Sequence, residues 1–142
     1  MTMATTVENL LGVTFPVKDT RLSLAYSIQS GLPVSAIDHL AEAVAPNGSR
    51  FKFRLIPKAT LDRRRKASKR LTSEEGDRIA RLAKVYSFAL DIYRDEGKAR
   101  EFLSRPHMML DGKPPLDIAL ATGPGADAVI NILGRAAYGG GA

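Results

Sequence analysis

The hydrophobic residues of this chain recur every three or four positions, which is the period of an amphipathic α-helix. Two stripes are the clearest. The first is Val34, Ile37, Leu40, Ala41 and Val44, and the second is Ile79, Leu82, Ala83, Tyr86, Ala89, Leu90 and Tyr93. Thr72 and Glu75 precede the second stripe at the spacing of a capping box, in which each residue hydrogen-bonds the other's backbone N–H. We therefore predict a helix entered through Pro33 and a long helix that follows Thr72.

Shorter helices are predicted from turn and capping residues. Gly12 and Gly31 should end helices over 7–11 and 20–30, since glycine is the usual residue just past a helix. Residues 58–69 form one helix by propensity, and Gly97 opens another that breaks at Arg105–Pro106. Pro115 is suited to a first helical turn. We interpret residues 123–125 as a break before a last helix, whose apolar face is Val129, Ile132, Leu133 and Ala136.

Residues 50–57 are the ambiguous segment. The alternation of Phe51, Phe53 and Leu55 is typical of a strand, but no partner strand is evident elsewhere in the sequence. A short helix or an extended turn is therefore favoured. With no segment predicted as part of a sheet, the fold class is all-α.

Composition excludes several classes of protein. The chain has 142 residues, 44% of them hydrophobic, which is enough for one domain or two small ones with a packed core. It contains no cysteine, so disulfides, thiol catalysis and cysteine-based zinc sites are excluded. No apolar run approaches the ~18 residues of a membrane span, and residues 1–12 show no signal-peptide pattern. We expect a cytoplasmic protein.

The positive charge is concentrated in one segment. Residues 50–70 contain ten lysines and arginines against Asp62 alone, so the segment carries +9 within a chain of net charge +6. Three interpretations are open: a solvated helix, a surface for an acidic protein, or the second helix of a helix-turn-helix whose cations neutralise DNA phosphates. The candidate DNA-binding residues are Lys58, Thr60, Arg63, Arg64, Lys66, Lys69 and Arg70.

The sequence contains no motif that supports a catalytic function. The two histidines, His39 and His107, are isolated and lack the spacing of metal ligands, so we expect no metal and no cofactor. The serines lack a G-x-S-x-G turn, and the glycines match neither a phosphate-binding loop nor a dinucleotide fingerprint. The sequence indicates that the protein is not an enzyme.

A set of short motifs follows the basic segment in a fixed order. They read Ile56-Pro57, Thr60-Leu61-Asp62-Arg63-Arg64, Leu71-Thr72-Ser73-Glu74-Glu75, Lys98-Ala99-Arg100-Glu101-Phe102-Leu103, Leu110-Asp111-Gly112-Lys113-Pro114-Pro115-Leu116-Asp117 and Leu133-Gly134-Arg135-Ala136-Ala137-Tyr138-Gly139. Each motif is weak alone, but together and in this order they resemble the Xre/MbcA/ParS family of antitoxins. The family often has an apolar residue after the last motif, whereas Gly140 and Gly141 stand here.

The resemblance implies an antitoxin of a type II toxin–antitoxin system. It implies an N-terminal arm with a short helix (1–19), a helix-turn-helix-like domain (20–82) and a toxin-binding domain (83–142). The partner would be a RES-domain toxin that consumes NAD by ADP-ribosyl transfer or degradation, and a homodimer would form a heterotetramer with it. Operator DNA would be a second partner, with autoregulation of the operon. The alternative is a helix-turn-helix regulator without a toxin.

The end of the chain is the candidate inhibitory element. Gly134 removes bulk beside Arg135 and Tyr138, so that both can project past the helix end toward a partner. An arginine can hold an acidic group through two hydrogen bonds, and a tyrosine can fill a pocket. We expect the last helix and tail to occlude the toxin's active site. The expected toxin-binding residues are Phe102, Leu103, Leu116, Asn131, Gly134, Arg135, Tyr138, Gly139, Gly140, Gly141 and Ala142.

Overall fold

The computed structural model of the chain describes residues 6–14 and 20–138. Its helices are α1 (Val7–Leu11), α2 (Thr20–Ser30), α3 (Ser35–Val44), α4 (Lys52–Leu55), α5 (Lys58–Lys66), α6 (Ser73–Tyr93), α7 (Glu96–Ser104), a 3₁₀ turn (Met108–Leu110), α8 (Pro115–Ala121) and α9 (Gly123–Tyr138). Within these residues the only β pairing is a single antiparallel bridge between His107 and Lys113. The predicted all-α class is confirmed.

The chain divides into two compact units. The first is Val7–Ala80, and the second comprises the described residues from Arg81 onward. Helix α6 contributes its first eight residues to the first unit and the remainder to the second.

The first unit is built around the apolar face of α3. Ile37 and Leu40 are completely buried, as the stripe predicts, and Leu11 of α1 is completely buried as well. Helix α1 approaches α3 at Gly12, where an added Cβ would lie 2.4 Å from the His39 ring. Gly12 also has a φ of +66°, a conformation that glycine adopts without strain. His39 is an exposed residue whose ring lies against Gly12.

The basic segment folds as two short helices joined by a tight connection. Helix α4 confirms the prediction of a short helix, and Ile56 and Pro57 then link it to α5 in an extended conformation. The prediction that α5 reaches Lys69 is wrong, because the helix ends at Lys66. Ser68 has a φ of +53°, and its N–H donates to the Arg65 carbonyl, which turns the chain away from the helix axis.

The second unit packs α7, α8 and α9 with the C-terminal part of α6. Helix α7 begins at Glu96, one residue before the predicted start, because the Asp95 carboxylate accepts the Lys98 N–H at 2.8 Å. Pro115 is the first residue of α8, as predicted. The Arg81 side chain donates to the carbonyls of Ala119 and Leu120, at 3.1 and 2.8 Å, and so joins α6 to the C-terminal end of α8.

The interpretation of residues 123–125 as a break is wrong, since they form the first turn of α9. Thr122 alone connects α8 to α9, and its hydroxyl accepts the Gly125 N–H at 2.9 Å, as a helix cap does. A Cβ at Gly125 would lie 2.2 Å from the Ile118 carbonyl oxygen. The glycine is thus required for close contact between the two helices.

The sequence also predicts that the N-terminal region self-associates through two exposed apolar stripes, around residues 7–11 and 22–28. Self-association remains a prediction, and only the stripe on α2 still supports it. The stripe at 7–11 is not exposed, because Leu10 and Leu11 are buried, whereas Leu22 and Tyr26 are 48% and 59% exposed. We expect the chain to be dimeric at tens of micromolar by multi-angle light scattering, since dimers are the commonest assembly that presents one apolar face to its copy. The double substitution Leu22→Ser with Tyr26→Ser should yield a monomer. A monomeric wild-type protein would contradict the prediction.

Candidate functional site

Helix α5 has an inner and an outer face. Leu61, on the inner face, is buried to 1% exposure, and Arg64 lies one turn further along the same face. Arg63 and Lys66 are three residues apart on the outer face, and both are exposed. Neither forms an ion pair with another residue in the described part of the chain. The outer face of α5 therefore presents positive charge to solvent that no described residue pairs with.

Arg64 is held inside the first unit. Its Nε and Nη2 donate to the two carboxylate oxygens of Glu75, at 2.8 and 3.1 Å. Glu75 also accepts the Thr72 N–H at 2.8 Å, and Thr72 Oγ1 accepts the Glu75 N–H at 3.2 Å. These contacts confirm the predicted capping box. They also join α5 to the start of α6 through one carboxylate.

Burial by itself would raise the pKa of the Glu75 carboxyl. The hydrogen bonds from the Arg64 guanidinium and from Thr72 outweigh that effect, and the pKa of Glu75 lies below its ordinary value. The ionised carboxylate is thus the form that this network stabilises.

The lowered pKa predicts how stability depends on pH. A carboxyl whose pKa is lower in the folded state stabilises the fold above its unfolded value, and this contribution is lost as the pH falls through the folded pKa. At neutral pH, Glu75→Gln should lower the free energy of unfolding by about 1–3 kcal/mol. The difference from wild type should shrink once the pH falls below 4.5, the ordinary value for glutamate.

Urea unfolding of both proteins across acid pH measures this. The matched control is Glu74→Gln, which removes the same charge from the exposed neighbouring position. A Glu75→Gln deficit that stays constant down to the most acid pH would contradict the prediction.

Several other cations of the basic segment have partners within the first unit. Arg65 donates to both carboxylate oxygens of Asp38, at 2.8 and 2.7 Å. Lys58 pairs with Asp62 at 2.9 Å, and Arg70 donates to the Gly31 carbonyl at 3.2 Å. The Lys58 hydrogen bond also lowers the pKa of Asp62.

The predicted DNA-binding residues therefore separate into two groups. Arg63, Lys66 and Lys69 are exposed, whereas Arg64, with 16% of its side chain exposed, is committed to Glu75. The Arg64 guanidinium is therefore not available to contact a DNA phosphate. Thr60 is half-buried in the first turns of α5.

Helix α9 is amphipathic in the same way. Val129 and Leu133 are completely buried against the second unit, and the opposite face exposes Asp127, Asn131 and Arg135 at four-residue spacing. Among the described residues, and leaving out the two chain neighbours and the backbone of α9 itself, nothing lies within 4 Å of the position where a Cβ on Gly134 would stand. The described end of α9 is therefore an open, polar ridge.

The predicted toxin-binding residues occupy different environments. Leu103 and Leu116, which are 1% and 4% exposed, belong to the core and offer no accessible surface. Phe102 is half-buried, with its ring centroid 6.0 Å from that of Tyr93. Tyr138 is the last residue of α9 rather than a residue beyond its end. The side chain of Tyr138 and residues 139–142 lie outside the described residues.

Two exposed side chains were missed by sequence reasoning. Met108 and Met109 are 94% and 58% exposed in the turn between α7 and α8. A pair of adjacent methionines follows the mostly polar residues 104–107, and this was the signal available in the sequence.

Within residues 6–14 and 20–138, no group of three histidine or carboxylate side chains is arranged to hold a metal ion. No helix in this described part of the chain is long and apolar enough to cross a membrane.

The described residues form a tight helix–turn–helix with an outward basic face, followed by a second helical unit that ends in a polar helix. Residues 23–84 match the family model of the antitoxin Xre-like helix-turn-helix domain. Residues 89–139 match that of the antitoxin Xre/MbcA/ParS C-terminal toxin-binding domain. Together the two models cover most of the chain.

Named relatives agree with these models. The chain is 37% identical to an Antitoxin Xre of Yersinia enterocolitica serotype O:8 over 119 residues, which are 82% of this chain and 79% of the relative. It is 30% identical to an Antitoxin Xre of Photorhabdus laumondii over 114 residues, 79% of this chain and 76% of the relative. The chain belongs to the Xre antitoxin family.

Proposed function

We propose that this protein is the non-catalytic antitoxin of a type II toxin–antitoxin pair. It binds a RES-domain toxin that consumes NAD, and it neutralises the toxin by occluding the active site with α9 and residues 139–142. The match of residues 89–139 to a toxin-binding domain and the names of the relatives support the antitoxin role.

The observation that carries the mechanism is the shape of the end of α9. Asn131 and Arg135 are exposed on one face, Gly134 beside them adds no bulk, and the sequence continues after Tyr138 with three glycines and an alanine. A narrow element of this kind fits a cleft built for a small molecule, since it can enter without displacing the walls. The Arg135 guanidinium can pair with a carboxylate there through two parallel hydrogen bonds.

The basic face of α5 supports a second role for the same protein. Arg63 and Lys66 point outward from the second helix of a helix-turn-helix, where they can neutralise phosphates of operator DNA. We propose that the antitoxin represses its own operon in this way, as a homodimer that forms a heterotetramer with the toxin. The outward cations also favour the alternative function, a transcriptional regulator without a toxin.

Co-expression separates the two functions. The gene adjacent to that of the antitoxin is expressed from an inducible promoter, with and without this protein, and growth and cellular NAD are measured. We expect NAD depletion and growth arrest by the neighbour alone, and recovery of both when the antitoxin is present. A neighbour that leaves NAD and growth unchanged would favour the regulator.

A further inference from the structure

The turn between α7 and α8, residues 107–113, carries the strongly exposed large hydrophobic side chains of the described part of the second unit. Four large hydrophobic side chains are strongly exposed among the described residues, and two of them, Met108 and Met109, lie in this turn. The other two lie on α2 in the first unit. An exposed apolar pair adds little to the stability of the isolated chain, and adjacent exposed apolar side chains are a feature of interaction sites.

The turn is held in place by its own hydrogen bonds. The N–H of His107 donates to the Lys113 carbonyl at 3.1 Å, and the Gly112 N–H donates back to the His107 carbonyl at 3.0 Å. The His107 Nδ1 accepts the Met109 N–H at 3.2 Å. Leu110, 7% exposed, anchors the turn in the core. The methionines are therefore displayed on a closed, anchored turn.

Among the described residues of the terminal helix, no large apolar side chain is strongly exposed, since Ile130 and Ile132 are half-buried. Its exposed face carries Ala128, Asn131 and Arg135, which are small or polar, and the half-buried Gly134 beside them adds no side chain. The centre of a protein interface is apolar, and methionine is enriched there because its flexible thioether adapts to the partner's surface. Within residues 89–139, the segment that matches a toxin-binding domain, Met108 and Met109 are the strongly exposed large apolar side chains that the structure describes.

We propose that Met108 and Met109 anchor the toxin by entering an apolar groove on its surface. This inference rests on the proposed function and assigns it a second contact: the methionine turn provides affinity, while α9 and the residues after it block the active site. Binding and inhibition are then carried by different parts of the same domain. Loss of the turn weakens the complex, whereas loss of the tail leaves a complex in which the toxin is active.

The test measures the affinity of the full-length antitoxin for the purified toxin encoded by the adjacent gene. Met108→Ser with Met109→Ser should raise the dissociation constant about tenfold or more, as truncation of buried interface anchors does. Met108→Leu with Met109→Leu should restore most of the affinity, since it keeps an apolar side chain of similar size. Lys98→Ser, at an exposed position on α7, is the control and should bind as wild type does.

The outcomes distinguish this inference from the proposed function. No binding by the wild-type protein would refute the antitoxin role itself. Wild-type binding with equal affinity for the double serine variant would overturn the anchor, as would a leucine variant that binds as weakly as the serine variant. Met108→Ser alone guards against a folding defect, because that side chain is 94% exposed, and it should weaken binding with an unchanged melting temperature.

A second copy of this chain is the competing occupant of the turn. Light scattering of the antitoxin alone tests it. If the double serine variant changes the oligomeric state but not the affinity for toxin, the turn is a self-association surface and the inference is wrong.

Discussion

A form of the protein that ends at Leu133 should fold and bind its toxin but fail to neutralise it. Ala126, Val129 and Leu133 are buried and remain in this form, so the contact of α9 with α8 is retained. The deletion removes Arg135 and Tyr138 together with the glycines that follow. Because these residues are the proposed plug, we expect growth rescue to be lost wholly or in large part.

Two companion variants refine this result. A form that ends at Tyr138 keeps α9 and removes only residues 139–142, so it distinguishes the helix from the tail. Arg135→Ala should weaken binding by about 1–3 kcal/mol if the guanidinium meets a buried carboxylate, and far less if it lies at a solvated rim.

Growth rescue and toxin pull-down are measured side by side for each form, with circular dichroism to establish folding. Full growth rescue by the form that ends at Leu133 would contradict the occlusion mechanism. The antitoxin role would stand, but its mechanism would be a different one. If the form that ends at Leu133 loses both toxin pull-down and growth rescue, the last turn of α9 is needed for binding itself.

Binding to operator DNA should depend on the outer face of α5. Arg63→Ala with Lys66→Ala removes two exposed cations that have no described ion-pair partner. Each phosphate contact contributes about 1 to the slope of log affinity against log salt, so we expect the double variant to lower that slope by about 2. Fluorescence anisotropy with a duplex from the region upstream of the gene, over a range of salt concentrations, measures it.

The matched control removes the same charge elsewhere. Lys84 and Lys98 are exposed cations on α6 and α7, outside the basic segment, and Lys84→Ala with Lys98→Ala should leave the slope close to that of wild type. Equal effects of the two double variants would indicate a nonspecific response to net charge. Unchanged DNA binding by the α5 variant would show that DNA binds to a different surface of the protein.

Much of the fold was predictable because its signals are local. Helices α1 and α2 begin and end at the predicted residues, each followed by a glycine with positive φ. The capping box of α6 was predictable for the same reason, since Thr72 and Glu75 are three residues apart and bond each other's backbone. Such signals depend on neighbouring residues only, and the sequence contains them completely.

Errors occurred where residue composition does not specify the contacts that a segment makes. Residues 123–125 resemble a break by composition, yet they form the first turn of α9, which the Thr122 hydroxyl caps and which lies close to the Ile118 carbonyl. The stripe at 7–11 was interpreted as exposed because the sequence does not show that α3 covers Leu10 and Leu11. In the second case the missing information was which helix lies opposite the stripe.

The candidate binding surfaces also have some properties that the sequence determines and others that depend on tertiary packing. The sequence by itself determined that residues 50–70 carry the positive charge and that the order of motifs is that of an antitoxin. Only the tertiary structure decided that Arg64 is held by Glu75 while Arg63 faces solvent. Adjacent residues on a helix point about 100° apart, and which of them faces inward depends on what lies against the helix. The same holds in the second unit, where burial of Leu103 and exposure of Met108 depend on how α7 and α8 pack, which the order of residue types does not specify.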